Sequence, residues 1–225
     1  MKAWSALVVA TCVVGMLLPR SASGQPVATL GDLEIDRDAL RIRVHATSGV
    51  HEAYVRQAVD VARGLLASAG VVTAWSVCVP ASCPVEQVKA FEIVAIFEKA
   101  NDRTLAGHCG RAALGDMTGR GTVRVSVPCV AAIALRLRQR LDTGSHPLFA
   151  LASHHDLTGA ILAHEVGHVL GLRHGPTGLM RERLDRNDVL SLRSHRFTFA
   201  APDVATMQRN AELATGRARS ALARR

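Results

Sequence analysis

The string HEVGHVLGLRH, His164 to His174, brings three imidazoles and one carboxylate together within eleven residues. On an α-helix, residues four apart lie one turn from each other on the same face. His164 and His168 can therefore present two ring nitrogens to one point. Glu165 is rotated around the helix from both, so it stands beside that point without entering the ligand set. Gly171 follows three residues after His168, where a residue without Cβ takes a positive φ and turns the chain out of the helix. That turn would return His174 to the same point. Three neutral imidazoles at about 2.0–2.1 Å leave one tetrahedral position of a zinc ion open to water, which is the arrangement of a catalytic site and not of a closed structural one. One Zn2+ per chain is the expected cofactor, with His164, His168 and His174 as metal ligands. Glu165 is the expected catalytic general base for hydrolysis.

An H-E-x-x-H string alone arises by chance in many helices, and Gly171 with His174 at the longer spacing gives this one its weight. The other histidines lack such company. His154 and His155 fall at a helix start, His146 in a loop, and His45, His51, His108 and His195 stand alone. Surface or capping roles suit them better than ligation.

With these residues in place, the sequence resembles the metzincin zinc peptidases, whose motif is H-E-x-x-H-x-x-G-x-x-H followed by a methionine-containing turn. Met180 fits the second element, six residues past His174 in the turn-rich Gly175-Pro176-Thr177-Gly178-Leu179-Met180. The resemblance implies that Met180 forms an apolar base under the metal and that Gly171 and Met180 support the site. It further implies an exposed edge strand lining the cleft, along which an extended substrate binds at Ala113, Leu114 and Gly115. Its specific part spans about residues 160 to 180, and over about 38 to 210 it is one of element order only. The residue after His174 is Gly175, which assigns no subfamily. No Tyr follows Met180, the chain's single Tyr being Tyr54. The residues between Gly24 and the first strand contain no Cys, so a cysteine-switch propeptide is excluded.

Rival chemistries fit less well. A gluzincin with Glu182 as third ligand competes with a His174 already at the metzincin spacing. A serine nucleophile lacks a G-x-S-x-G string. A zinc-bearing binding module without turnover would not need Glu165. Hydrolysis of cell-wall peptides is a further enzymatic alternative, to which the basic charge lends faint support.

The elements that must position these groups follow from periodicity. Residues 39 to 46, ALRIRVHA, alternate as a half-buried strand does. From 51 to 69, Val55, Ala58, Val59, Ala62, Leu65, Leu66 and Ala69 recur at helical spacing, and Gly70 ends the helix. Residues 71 to 79 and 91 to 97 are β-branched and aromatic runs that read as strands, and 112 to 117 and 122 to 127 read as two more. Helical spacing resumes from Val130 to Leu141. A long helix begins near Asp156, where Ser153 and Asp156 have the spacing of a capping box, and runs to about Leu170. Pro202-Asp203 starts a last helix through Met207 and Leu213, with a mobile basic tail from 215 to 225. Loops at 142 to 153 and 181 to 200 flank the expected cleft. The expectation is an α+β, metzincin-like zincin fold: a mixed, mostly parallel twisted sheet of about five strands, an active-site helix and a C-terminal helix.

The 225 residues are 48% hydrophobic and 4% aromatic, which suffices for one packed core and excludes a disordered or repetitive chain. Lys2, the apolar run Ala6 to Leu18, and the small residues Ala22 and Gly24 read as a secretory signal over 1–24. A short extension, 25–37, and a peptidase domain, 38–214, would follow. Loss of Lys2 and Arg20 with the signal would lower the formal charge of +8 by two. The remaining basic residues, without an aromatic ladder, favour a solvated surface over nucleic-acid binding. Four cysteines lie beyond the signal. An even number in an exported chain points to two disulfides among three connectivities, with Cys78–Cys83 and Cys109–Cys129 preferred. The cysteine spacing is poor for a zinc ribbon. The partners expected are a protein or peptide substrate, with no nucleic acid and no stable membrane insertion. The chain is expected to be a monomer in a secreted or periplasmic location.

Overall fold

The alternating run that opens the domain forms β1 (Leu40–Ala46), and the helical run after Ser48-Gly49 forms α1 (Glu52–Ser68). The chain continues through β2 (Thr73–Cys78), β3 (Glu92–Glu98), β4 (Gly110–Leu114), β5 (Gly121–Ser126), α2 (Val127–Leu141), α3 (His154–Val169), α4 (Arg186–Arg193) and α5 (Ala201–Leu222). This computed structural model describes residues 39–78, 92–99, 108–114, 121–141, 153–194 and 196–222, all within one unit, Glu34–Arg225. The expected signal and N-terminal extension, Cys83, Gly115, His146, His195 and the loop at 142–152 lie outside the described residues.

The five strands make one sheet in the order β2-β1-β3-β5-β4. β1 runs parallel to β2 and β3, β3 runs parallel to β5, and β4 alone is antiparallel, at an edge beside β5. The fold is thus mixed α/β with a mostly parallel sheet and, among the described residues, five helices.

Alternation along each strand decides what lies on each face. Leu40, Ile42 and Val44 of β1, Ile93, Ala95 and Phe97 of β3, and Val123 and Val125 of β5 share one face and are buried. Against them pack the apolar stripe of α1 (Val55, Ala58, Val59, Ala62, Leu65, Leu66) and the buried residues of α3 (Leu157, Ala160, Leu162, Ala163, Val166). Each fully buried aliphatic side chain contributes about 1.5–3 kcal/mol of transfer free energy. The other face is polar. There Arg43 and Glu92 form a buried ion pair at 2.9 Å, and Arg124 pairs with Glu98 at 3.0 Å.

β4 begins at Gly110, two residues before the expected strand at 112 to 117, and three further segments differ from the sequence expectation. Val127 and Pro128 belong to α2, which follows β5 without a loop; the Cys129 N–H donates to Ser126 Oγ at 3.3 Å, and a proline costs nothing in a first turn. The segment 181–200, read as a loop, contains α4, which opens on reciprocal hydrogen bonds. Asp185 Oδ1 accepts from the Asn187 and Asp188 amides, and Asp188 Oδ2 accepts from the Asp185 amide. Val189 and Leu192 anchor its buried face. Finally, α5 runs to Leu222, past the Gly216 at which the sequence suggests a stop.

Cys109 and Cys129 form a disulfide that ties the entrance of β4 to the first turn of α2. Cys78 is also disulfide-bonded. The closed loop between Cys109 and Cys129 spans 20 residues, for which restriction of the unfolded chain is worth about 3 kcal/mol. No described helix is long and apolar enough to cross a membrane.

Candidate active site

α3 begins with the expected capping box. Ser153 Oγ accepts from the Asp156 amide at 3.4 Å, and the Asp156 carboxylate accepts from the Ser153 amide at 3.1 Å. The helix ends at Leu170 in a Schellman arrangement, with Gly171 N–H donating to His168 O (2.9 Å) and Leu172 N–H to Gly167 O (3.0 Å). Gly171 has φ +86°, a conformation that side-chain-bearing residues rarely adopt. The leftover carbonyl of Leu170 accepts from Asn210 Nδ2 of α5 at 2.6 Å. The chain reverses here and returns His174 to the rings on α3.

His164, His168 and His174 thereby form a cluster in which one nitrogen from each ring lies within 4.8 Å of the others. The Nε2 of His168 is 3.0 Å from that of His164 and 3.1 Å from that of His174. Two of the rings have fixed tautomers. His164 Nδ1 lies 2.7 Å from Leu179 O, and His168 Nδ1 lies 2.9 Å from Leu172 O. A carbonyl oxygen can only accept, so both Nδ1 atoms carry the proton and both Nε2 atoms of the neutral rings present lone pairs. Lone pairs facing one another at 3.0 Å make no hydrogen bond. A shared cation resolves the conflict, because nitrogens at about 2.0–2.1 Å from a tetrahedral zinc stand about 3.3–3.4 Å apart. The donor set thus fits a zinc ion, and the backbone carbonyls take the ring-orienting role usual around metal-bound histidine.

The electrostatics agree. Burial pushes the His164 imidazole down to about 4, with the neighbouring rings adding to the effect and the Leu179 carbonyl opposing it. His168 is lowered for the same leading reason. A ring kept neutral is ready to ligate. A consequence for the chelated protein follows from the sign of the shift. Between about pH 6.5 and 4 the unfolded chain binds the proton at His164 that the folded chain refuses, so stability falls as pH falls through that window. The loss attributable to His164 is at most about 3 kcal/mol. Urea melts of chelated Glu165→Ala, in which the opposing proton uptake of the raised Glu165 carboxyl is removed, should show it between pH 7.5 and pH 5, and equal midpoints there would refute it.

Glu165 is 7% exposed. Its carboxylate accepts a hydrogen bond from the Ala112 amide of β4. Burial pushes its carboxyl up to about 7, the Ala112 amide opposing; a nearby cation acts in the same sense as that amide.

Met180 is fully buried, and its Sδ lies 2.8 Å from where a Cβ on Gly167 would stand, so it packs against α3 at that glycine. The turn that carries it is closed by Gly175 N–H donating to Met180 O (3.0 Å) and held by Leu179 N–H donating to Thr198 O (2.9 Å). The same turn delivers the Leu179 carbonyl to His164. Met180 is therefore core packing.

Of the expected cleft-lining residues, Ala113 and Leu114 lie on the exposed edge strand β4, with Leu114 70% exposed. Glu182 is exposed and outside the histidine cluster. Tyr54 bonds the Thr158 hydroxyl at 2.5 Å, where it joins α1 to α3. The sequence reading missed Ala112, Leu172, Leu179 and Asn210. The first three act through backbone atoms, which leave no residue-type signal, and Asn210 reaches the site from α5, 40 residues from Leu170.

No protein-family model and no curated protein matches the sequence. Among solved structures, the chain is similar to the crystal structure of archaemetzincin from Methanopyrus kandleri, with 16% identity over 77% of this chain and 96% of that one and a TM-score of 0.44. A likeness at that level does not establish a family.

Proposed function

We propose that the chain is an exported zinc-dependent endopeptidase of metzincin type, acting as a monomer on protein or peptide substrates in a secreted or periplasmic location. The observation that carries the reading is the convergence of three imidazole Nε2 atoms, two with their protons committed to backbone carbonyls, beside the buried carboxylate of Glu165. His164, His168 and His174 would hold the zinc. When bound, zinc supplies a Lewis acid that polarises a carbonyl and lowers the pKa of water to about 7.

The remaining work belongs to the chain. Glu165 takes the proton of the attacking water and returns it to the leaving amine, which splits the peptide bond into acid and amine. Leu179 and Leu172 fix the rings through their carbonyls, and Gly171 and Met180 hold the turn and the floor. β4 offers its open edge to an extended peptide, main chain to main chain. Export is supported by the apolar N-terminal run and by the Cys109–Cys129 disulfide, which suits an oxidising compartment.

A protein-substrate gel tests the reading. A clearing band should vanish with a chelator and return with added zinc. Zinc uptake without clearing would instead indicate the binding module, and clearing confined to a gel cast with cell wall would indicate a cell-wall peptide hydrolase.

A further inference from the structure

We infer that β4 holds Glu165 in a resting position on the amide that an extended substrate needs, so that docking of a peptide main chain and release of the Glu165 carboxylate are one event. The inference rests on the peptidase reading above and adds two positioning residues, Gly110 and Ala112.

The register of β4 determines which of its backbone groups face outward. Ser126 N–H donates to Cys109 O at 2.8 Å, and the pairs Arg111↔Arg124 and Ala113↔Thr122 follow at the two-residue repeat. In an antiparallel pair such residues bond their partner strand, and those between them turn N–H and C=O away. Gly110, Ala112 and Leu114 therefore direct their main-chain groups to the open edge. An added strand would pair with those groups. Of them, the Ala112 N–H faces the Glu165 carboxylate, whose atoms lie against Gly110 of the same strand.

Gly110 makes that contact possible. A Cβ there would lie 2.7 Å from Cγ and 2.8 Å from Cδ of Glu165. Any side chain at 110 would push the carboxylate aside. A peptide carbonyl that bonds Ala112 must displace the carboxylate, which is then released next to the histidine cluster as the peptide bond arrives. The base is thus held back until a substrate main chain is in place.

Two inactive variants separate this from a passive contact. Glu165→Gln keeps an oxygen that can accept from Ala112, and Glu165→Ala does not. At matched zinc content, a casein-derived peptide that the parent cleaves should bind Glu165→Ala about three- to tenfold more tightly than Glu165→Gln, the range expected for one competing hydrogen bond. In 15N-labelled full chain, the Ala112 amide resonance should move in Glu165→Ala and stay close to its parent position in Glu165→Gln. In Gly110→Ala, KM should fall about three- to tenfold with zinc content kept, because the Cβ pushes the carboxylate off the Ala112 amide and the substrate no longer has to displace it. Equal peptide affinity in the two Glu165 variants, an unmoved Ala112 resonance, or an unchanged or raised KM in Gly110→Ala would overturn the inference and leave the peptidase reading standing. Failure of the zinc-loaded parent to cleave any peptide would overturn both.

Discussion

Glu165→Ala is expected to keep about one zinc per chain and to lose turnover by about 10²–10⁴-fold, the usual worth of a positioned general base. The two effects separate because Glu165 is outside the set of three converging nitrogens, and its carboxylate bonds Ala112 and not a histidine. Folding should not suffer either. A carboxyl pushed up to about 7 by burial is costly to ionise in the fold, so removing it also removes that cost. Metal analysis and peptide hydrolysis on the same preparation check the prediction. Turnover at the parent's rate would mean that another group moves the proton.

His174→Ala should have the opposite profile. His174 is exposed, beyond the Gly171 turn, and among the described residues its ring meets those of His164 and His168. Its loss should therefore leave the chelated protein melting within about 1 °C of the parent, as for a surface substitution away from caps and cores. Zinc affinity should fall by more than about 100-fold, since loss of a mere outer partner of a ligand already costs 10–100-fold. Competition with a chromophoric chelator measures this. Parent-like affinity would show that two histidines and some other group hold the metal.

The parts of this site that were legible in the sequence are those set by side-chain type and spacing. His164 and His168 meet because they lie one helical turn apart, and Gly171 is legible because a helix that must reverse needs a positive φ at C′. Ser153 and Asp156 announced the start of α3. Alternation gave β1, and β-branched and aromatic runs gave β2 and β3, to within a residue or two. What was hidden depends on backbone groups or on distant packing. The Leu172 and Leu179 carbonyls orient the rings through atoms that every residue has. α4 is short, and its apolar signal is confined to Val189, Leu190 and Leu192, too few for a helical period, while its Asp185 and Asp188 start has the composition of a loop. α5 passes Gly216 without a turn, because a glycine inside a helix costs only about 1 kcal/mol against alanine and does not by itself end it.

In the proposed site three imidazoles of this chain, and no sulfur, hold one zinc. X-ray absorption at the zinc edge of the purified, zinc-loaded protein tests this. The expected spectrum has a first shell of nitrogen and oxygen at about 2.0–2.1 Å with the outer-shell scattering of three imidazoles. A sulfur shell at about 2.3 Å, or a zinc without imidazole scattering, would contradict it.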